Sequence, residues 1–225
     1  MARFREDKPY RAVCTGLNKT GTTTIGAVFK CLGLRTMGFQ QGLNALVAEG
    51  RMDVVLQKMD HHHGFQELPF PLIYREMHAH FGDDIRFIHT MHASPAEWLR
   101  SIKRHSLRNG GTRLRSRIYG ATFPHLDEQA YLDTYNRHND AVQNYALVNG
   151  IPCLVVTIGE RDLTEKIAAF LNEPLLEILQ KTPSKNRLSI PRDPSKTRFA
   201  RYFNKLNRHR LAKGQTELTL EEAMA

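Results

Sequence analysis

Apolar residues recur along this chain at two spacings that alternate from its start to about residue 171. Short apolar runs of strand length cover residues 11–15, 85–91 and 152–158. Apolar positions three and four residues apart predict helices over residues 22–32, 71–81, 95–107, 127–148 and 163–171. Strands that alternate with helices are typical of βαβ units. We therefore predict a three-layer α/β sandwich built around a central, mainly parallel sheet.

Three further stretches have weaker patterns. Residues 42–59 are predicted to form two helices interrupted near Gly50, because apolar positions keep helical spacing on either side of that glycine. Residues 61–67 are predicted to be a short extended segment ended by Pro69. Residues 109–120, rich in glycine and arginine, predict a mobile loop.

The C-terminal tail differs from the rest in charge. Residues 192–213 carry eight Lys or Arg and one Asp, which leaves +2 of the net charge of +9 for all other residues. The tail helix also has an apolar stripe, formed by Phe199, Tyr202, Phe203 and Leu206. Such a helix either docks on its own domain or lies on an anionic membrane. We favour docking, and predict an α/β domain over residues 1–190 with a basic helical extension over residues 191–225.

The cysteines and the hydropathy of the chain indicate the cellular compartment of the protein. Cys14, Cys31 and Cys153 are odd in number and lie in apolar stretches, which favours buried, reduced thiols. No run of 18 apolar residues exists, and the charged start lacks the apolar region of a secretory signal. These features predict a cytoplasmic protein.

The strongest chemical signal is a glycine-bounded loop between the first strand and the first helix. Gly16 and Gly21 stand five positions apart, and Lys19 lies between them. A turn of this kind aims backbone N–H groups into a concavity at a helix N-terminus, where hydrogen bonds and the helix dipole hold phosphate. Hydroxyl groups at four neighbouring positions add donors: Thr20, Thr22, Thr23 and Thr24.

The position of the lysine separates this loop from the ATP-binding type. An ATP-type loop has lysine directly after the second glycine, followed by a hydroxyl residue for Mg²⁺. Here Thr22 stands at that position, and the lysine lies inside the loop at position 19. An ATP- or GTP-hydrolysing protein would lack its usual phosphate-gripping lysine.

The segment Lys-Thr-Gly-Thr-Thr over residues 19–23 resembles the 5′-phosphosulfate loop of sulfotransferases that use 3′-phosphoadenosine 5′-phosphosulfate (PAPS). Residues 87–101 resemble the strand, turn and helix around the donor's 3′-phosphate in that family. Residues 65–69 resemble the acidic segment beside the acceptor, and residues 135–171 resemble the later helix–strand–helix order. The resemblance extends over residues 10–190 and implies a P-loop-containing, sulfotransferase-like fold.

The resemblance also implies a donor site, with one departure from the family pattern. In the family, an arginine at the strand end and a serine on the next helix bind the 3′-phosphate, and Ser101 matches the serine. The arginine position falls at His92 when counted along the strand and at Ala93 when counted back from Ser101, and neither residue is an arginine. Arg100, Lys103 and Arg104 are candidates to compensate. The implied donor-binding residues are Lys19, Thr20, Gly21, Thr22, Thr23, Thr24, His92, Ser101, Lys185, Asn186 and Arg187.

The general base has two kinds of candidate. Family members often place a carboxylate where Glu67 stands, and a surface carboxylate is its alternative interpretation. His61, His62 and His63 compete with Glu67, because imidazole titrates near neutral pH. In an extended segment, His61 and His63 would share one face. The histidines lack Cys-x-x-Cys partners at zinc-site spacing, so no metal is expected.

We therefore predict a PAPS-dependent sulfotransferase that moves a sulfuryl group to a hydroxyl or amine of a small-molecule, glycan or lipid acceptor. Lys19 would neutralise the leaving phosphate, with Glu67 or His63 as the base. One alternative is a P-loop small-molecule kinase. Another is a basic, non-catalytic protein that binds nucleotide or nucleic acid; no nucleic-acid motif accompanies the basic residues, so a nucleic-acid partner is not expected. Peripheral membrane contact through the tail is a further alternative.

Overall fold

The computed structural model describes residues 8–174 and 198–225, which form two compact units. The first unit contains residues 8–91 and 139–174, and the second contains residues 92–138 and 198–225. The tail thus shares a unit with residues 92–138. Lys185, Asn186 and Arg187 lie outside the described residues.

The first unit is built on a five-stranded, all-parallel sheet in the order β2-β3-β1-β4-β5. The strands are β1 (Arg11–Cys14), β2 (Thr36–Met37), β3 (Gly64–Phe65), β4 (Ile85–Met91) and β5 (Cys153–Thr157). β1 is the central strand, and Val13 pairs with Phe65 on one side and Phe87 on the other. Because all the strands are parallel, their carboxyl ends lie at one edge of the sheet.

Helices cover both faces of this sheet, so the predicted α/β class is confirmed. The helices of the first unit are α1 (Thr22–Cys31), α2 (Gln41–Ala48), α3 (Met52–Met59), α4 (Tyr74–Phe81), the end of α7 (Glu128–Val148) and α8 (Leu163–Phe170). Side chains alternate along β1, with Ala12 and Cys14 in the core with α1 and α8. Val13 faces the opposite core, which contains residues of α2, α3, α4 and α7.

The secondary structure confirms the stronger predictions and corrects a weaker one. β4 has the predicted bounds, and α2 and α3 are interrupted at Gly50, whose φ is 74°. The predicted extended segment over residues 61–67 is wrong for most of its length. Only Gly64–Phe65 forms a strand, because Asp60 and His61 form a turn that ends α3.

The second unit is helical around an aromatic core. Its helices are α5 (Pro95–Asn109), α6 (Arg113–Tyr119), the start of α7, α9 (Arg198–Ala212) and α10 (Leu220–Met224). Trp98 stacks on Tyr135 with ring centroids 4.2 Å apart, and Tyr119 stacks on Tyr131 at 4.4 Å. These four rings are fully buried. Trp98 and these tyrosines therefore form the core of the second unit.

The mobile loop predicted over residues 109–120 is wrong, because part of it forms α6. The Thr112 side chain accepts a hydrogen bond from the Arg115 N–H at the start of this helix, and Gly120 ends it in the left-handed conformation. The Arg115 side chain is 7% exposed and donates to the Gly110 carbonyl at 3.0 Å and to His105 Nδ1. Arginine was interpreted as a sign of solvent exposure, but this guanidinium is buried with acceptors.

The tail docks within the second unit. Leu206 is fully buried, Arg210 donates to the His125 carbonyl at 2.7 Å, and His125 Nε2 donates to the Ala223 carbonyl at 2.9 Å. The side chain of Phe199 lies outside the described residues. Among the described helices, none combines the length and apolar character needed to cross a membrane.

The described residues divide the charge unevenly between the units. The second unit carries fourteen Lys or Arg against seven Asp or Glu, a net charge of +7. The first carries eleven against twelve, a net charge of −1. The basic character seen in the tail thus extends to residues 92–138.

Candidate phosphate-binding site

The glycine-bounded loop follows the central strand at its carboxyl end. β1 ends at Cys14, the loop covers residues 16–21, and α1 begins at Thr22. In open α/β sheets, ligands bind outside the carboxyl ends of the strands. The predicted order of strand, loop and helix is confirmed, and the loop lies at the edge of the sheet where a ligand is expected.

Both glycines of the loop are required by the packing around them. A Cβ at Gly16 would lie 2.0 Å from Thr90 Oγ1 and 2.4 Å from the Thr90 carbonyl oxygen. A Cβ at Gly21 would lie 2.0 Å from Ile158 Cδ1, and Gly21 has a φ of 86°. Glycine populates this left-handed region without steric penalty. The loop therefore packs tightly on β4 and on the end of β5.

The loop presents the start of a helix without a side-chain cap. Gly21 is the N-cap residue of α1, and a glycine has no side chain that could cap the helix. The first N–H groups of a helix have no partner within it and favour an anion. The Thr24 N–H already bonds the Gly21 carbonyl at 2.8 Å, so the N–H groups available to a ligand precede it.

Lys19 supplies the positive charge of the loop. Its side chain is half-buried, and its backbone has a φ of 73°. This left-handed conformation costs a non-glycine residue about 1–2 kcal/mol. Strained residues of this kind cluster at functional sites, which favours a ligand-binding role for the loop.

The structure brings Glu67 to this loop from 45 residues farther along the chain. Thr22 Oγ1 donates a short hydrogen bond to Glu67 Oε1, and Thr23 Oγ1 donates to the same oxygen at 3.3 Å. Glu67 follows β3 at its carboxyl end, directly before the cis bond between Leu68 and Pro69, and has a φ of 68°. Glu67 is therefore a partly exposed carboxylate that is hydrogen-bonded to the first turn of α1.

The hydroxyl groups of the loop divide into two sets. Thr20 is fully buried, and its hydroxyl donates to the Leu17 carbonyl at 2.7 Å. That hydroxyl hydrogen is therefore not directed at a ligand, contrary to the sequence interpretation. Thr22 and Thr23 direct their hydroxyl groups toward Glu67, and Thr24 is half-buried in the first turn of α1.

The structure does not bring His63 to the loop. His63 precedes β3 and is level with Arg11, because Ala12 pairs with Gly64. Its distance from Gly16 along the strand direction is about 16 Å, or five residues at about 3.3 Å each. Burial and the charge of Arg11 lower the pKa of His63. His61 is exposed and His63 is 8% exposed, so they do not share an exposed face.

His92 and Ser101 both belong to the second unit. The His92 N–H donates to Tyr135 Oη at 3.0 Å, and both side chains, of His92 and of Ser101, are partly exposed. Tyr135 also stacks on Trp98, so the backbone at His92 is held by the aromatic core. These contacts leave the imidazole and the Ser101 hydroxyl at the surface of the unit.

The basic residues proposed to compensate for the missing arginine have partners in the second unit. Arg100 Nε donates to a main-chain oxygen of Ala225 and Arg104 Nε to that of Met224, each at 3.3 Å. Lys103 Nζ lies 2.8 Å from Glu128 Oε1. These three side chains therefore bind α10 and α7.

Sequence analysis missed a set of polar residues beneath the loop. His89 and Thr90 of β4 are fully buried and bond to Thr15 and Thr20, at either end of the loop. The adjacent polar residues His89 and Thr90, near the end of the strand over residues 85–91, were the signal that could have identified them. Burial raises the pKa of the nearby Cys14 thiol to about 12, so this thiol stays protonated.

Within the described residues, no group of three His, Cys, Asp or Glu side chains is placed to hold a metal ion. The candidate site therefore consists of the loop, the start of α1 and Glu67, all in the first unit.

No protein-family model matches the chain, and a search of curated proteins finds no match either.

Proposed function

We propose that this protein is a PAPS-dependent sulfotransferase with a sulfotransferase-like P-loop fold. The observation that carries the proposal is the contact of Glu67 with Thr22 and Thr23. This contact places the Glu67 carboxylate, which belongs to the predicted acceptor-side segment, beside the candidate phosphate-binding loop that contains Lys19. Sulfuryl transfer requires these two functions side by side, namely an anion-binding loop for the donor and a base for the acceptor.

The loop residues would hold the 5′-phosphosulfate. The uncapped start of α1 offers N–H groups at Gly21, Thr22 and Thr23, and glycine at positions 16 and 21 leaves the backbone accessible. The ammonium group of Lys19 would neutralise charge on the phosphate as it leaves. Positioned charges that stabilise a transition state are commonly the largest single contribution to catalysis.

Glu67 would act as the general base. It accepts the proton of the acceptor hydroxyl or amine as the acceptor atom forms its bond to sulfur. The bond between sulfur and the bridging phosphate oxygen breaks, and its electron pair stays on that oxygen beside Lys19. In-line geometry and charge stabilisation are the demands this reaction shares with phosphoryl transfer.

The donor's 3′-phosphate is assigned to Ser101 and His92 through the family resemblance. Histidine carries only partial charge near neutral pH, so we expect His92 to bind the phosphate less tightly than the family's arginine would. The variants Ser101→Ala and His92→Ala test this assignment separately from the loop.

Calorimetric titration with the spent donor, 3′-phosphoadenosine 5′-phosphate, tests the proposal against ATP with Mg²⁺. We expect micromolar binding of the spent donor, lost in Lys19→Ala and retained in Lys30→Ala. Lys30 is the matched control, because it is exposed in the last turn of α1, the helix that follows the loop. A preference for ATP–Mg²⁺ would assign the protein to the kinases, and binding of neither nucleotide would refute the donor site.

A further inference from the structure

The phosphate loop is tied to β4 by a hydrogen-bonded chain whose direction can be deduced. Thr20 Oγ1 donates to the Leu17 carbonyl at 2.7 Å, so its single hydrogen is used there. Thr90 Oγ1 lies 2.7 Å from Thr20 Oγ1 and must therefore donate to it. Cys14 Sγ, 3.6 Å from Thr90 Oγ1, then supplies the donor to Thr90. The raised pKa of Cys14 keeps the hydrogen on its sulfur.

A second chain holds the other end of the loop. His89 Nε2 donates to Asn139 Oδ1 at 3.1 Å, because an amide oxygen only accepts. His89 Nδ1 forms the other hydrogen bond of the ring, with Thr15 Oγ1 at 3.0 Å. The Thr15 N–H also donates to the Ile88 carbonyl at 3.0 Å. Thr15, the residue before Gly16, is thus held by both its side chain and its backbone.

The residues of both hydrogen-bonded chains are buried, which makes the chains a rigid support for the loop. Thr15, Thr20, His89 and Thr90 are fully buried, and Asn139 is 6% exposed. When one of these residues loses its hydrogen-bond partner, a buried polar atom is left unsatisfied, which costs free energy. The hydrogen bonds therefore favour a single conformation of the loop ends. Gly16 also packs on Thr90 so closely that no Cβ fits. The contacts reach the loop at residues 15, 16 and 20, on both sides of Lys19.

We infer that His89 and Thr90 are positioning residues that hold the phosphate loop in its binding conformation before the ligand arrives. They act through Thr15 and Thr20 and do not contact the ligand themselves. Preorganisation of this kind raises affinity by removing the need to order the loop on binding. The inference shares one assumption with the proposed function, namely that the ligand of the loop is a nucleotide.

The test compares isosteric variants of the buried hydroxyl group. Thr90→Val keeps the shape of the side chain and loses the hydrogen bonds, and Thr90→Ser restores the hydroxyl. Loss of one buried hydrogen bond predicts about five- to tenfold weaker binding of the spent donor to Thr90→Val. Thr90→Ser should bind within twofold of wild type. Thr36→Val in β2 is the matched control, because Thr36 lies at the amino end of the sheet beside Gly64.

Hydrogen exchange of the loop amides is a second measurement that needs no ligand. We expect faster exchange over residues 16–23 in Thr90→Val and in His89→Phe, and wild-type exchange in Thr90→Ser. His89→Phe carries the same test if Thr90→Val does not fold, as judged by the fluorescence of the single tryptophan, Trp98.

The outcomes separate this inference from the proposed function. If wild type binds no nucleotide, the sulfotransferase proposal fails, and the exchange comparison still decides the positioning role. If Thr90→Val and His89→Phe keep wild-type affinity and exchange, the inference is overturned. Equal losses in Thr90→Ser and Thr90→Val would also overturn it, because side-chain shape rather than hydrogen bonding would then control the loop.

Discussion

Replacing Glu67 with glutamine should change donor affinity and turnover in opposite directions. The carboxylate lies at the start of α1, where the donor's phosphosulfate is proposed to bind, and it repels that anion. The amide of Glu67→Gln keeps an oxygen that accepts from Thr22 and Thr23 but carries no charge. We therefore expect tighter binding of the spent donor and slower turnover in this variant.

The size of the affinity gain follows from the contact distances. Glu67 Oε1 lies 3.3 Å from Thr23 Oγ1. The single hydroxyl hydrogen of Thr23 is used by Glu67, so the phosphate is proposed to bind the N–H groups at the start of α1. We take the separation of the two anions there as about 6 Å. Two unit charges at that separation repel by about 0.7 kcal/mol in water and about 3 kcal/mol at an effective dielectric constant of 20. The expected gain in affinity is therefore about 3- to 100-fold.

Calorimetry with the spent donor measures this gain, and a sulfuryl-transfer assay with an identified acceptor measures turnover. Loss of a general base should lower turnover by about 10²- to 10⁴-fold. Asp84→Asn is the matched control, because Asp84 is exposed and precedes β4 at the opposite edge of the sheet. Unchanged or weaker binding in Glu67→Gln would refute the placement of the anion, and unchanged turnover would refute the role as base.

Three further predictions concern the loop, the second unit and acid stability. Gly21→Ala should lower the free energy of unfolding, measured in urea, by more than Gly50→Ala does. Both glycines have a positive φ, which costs an alanine about 1–2 kcal/mol. Only at position 21 would the added Cβ also clash, because it would lie 2.0 Å from Ile158 Cδ1. Lys19→Ala should lower turnover about 10²-fold or more, and a change of less than twofold would contradict its role at the leaving group. Burial lowers the pKa of His125 to about 4 from 6.5, so the unfolded chain binds the extra proton and stability falls as pH drops from 6.5 to 4. The expected loss of stability is about 3 kcal/mol. Urea titrations followed by Trp98 fluorescence should show that the free energy of unfolding falls less steeply with pH in His125→Gln than in wild type. Equal pH dependence in the two proteins would contradict this prediction.

Local patterns were sufficient for the elements that depend on near neighbours in sequence. The strand at residues 11–14, the turn between Gly16 and Gly21 and the start of α1 were all predicted, because apolar spacing and glycine act over a few residues. The position of Lys19 inside the loop is likewise visible without a structure. Errors arose at residues 61–67 and 109–120, where a turn after α3 and a buried Arg115 override local composition.

What only the tertiary structure decided is which residues meet at the loop. Strand order and register place Glu67 at the carboxyl edge of the sheet and His63 at the amino edge, although only four positions separate them in sequence. The same pairing brings His89 and Thr90 to the ends of the loop, where they bond residues 74 and 70 positions away in sequence. Local sequence determined the loop itself, because a turn needs only its own residues. Its partners depend on long-range strand pairing, which no short pattern records.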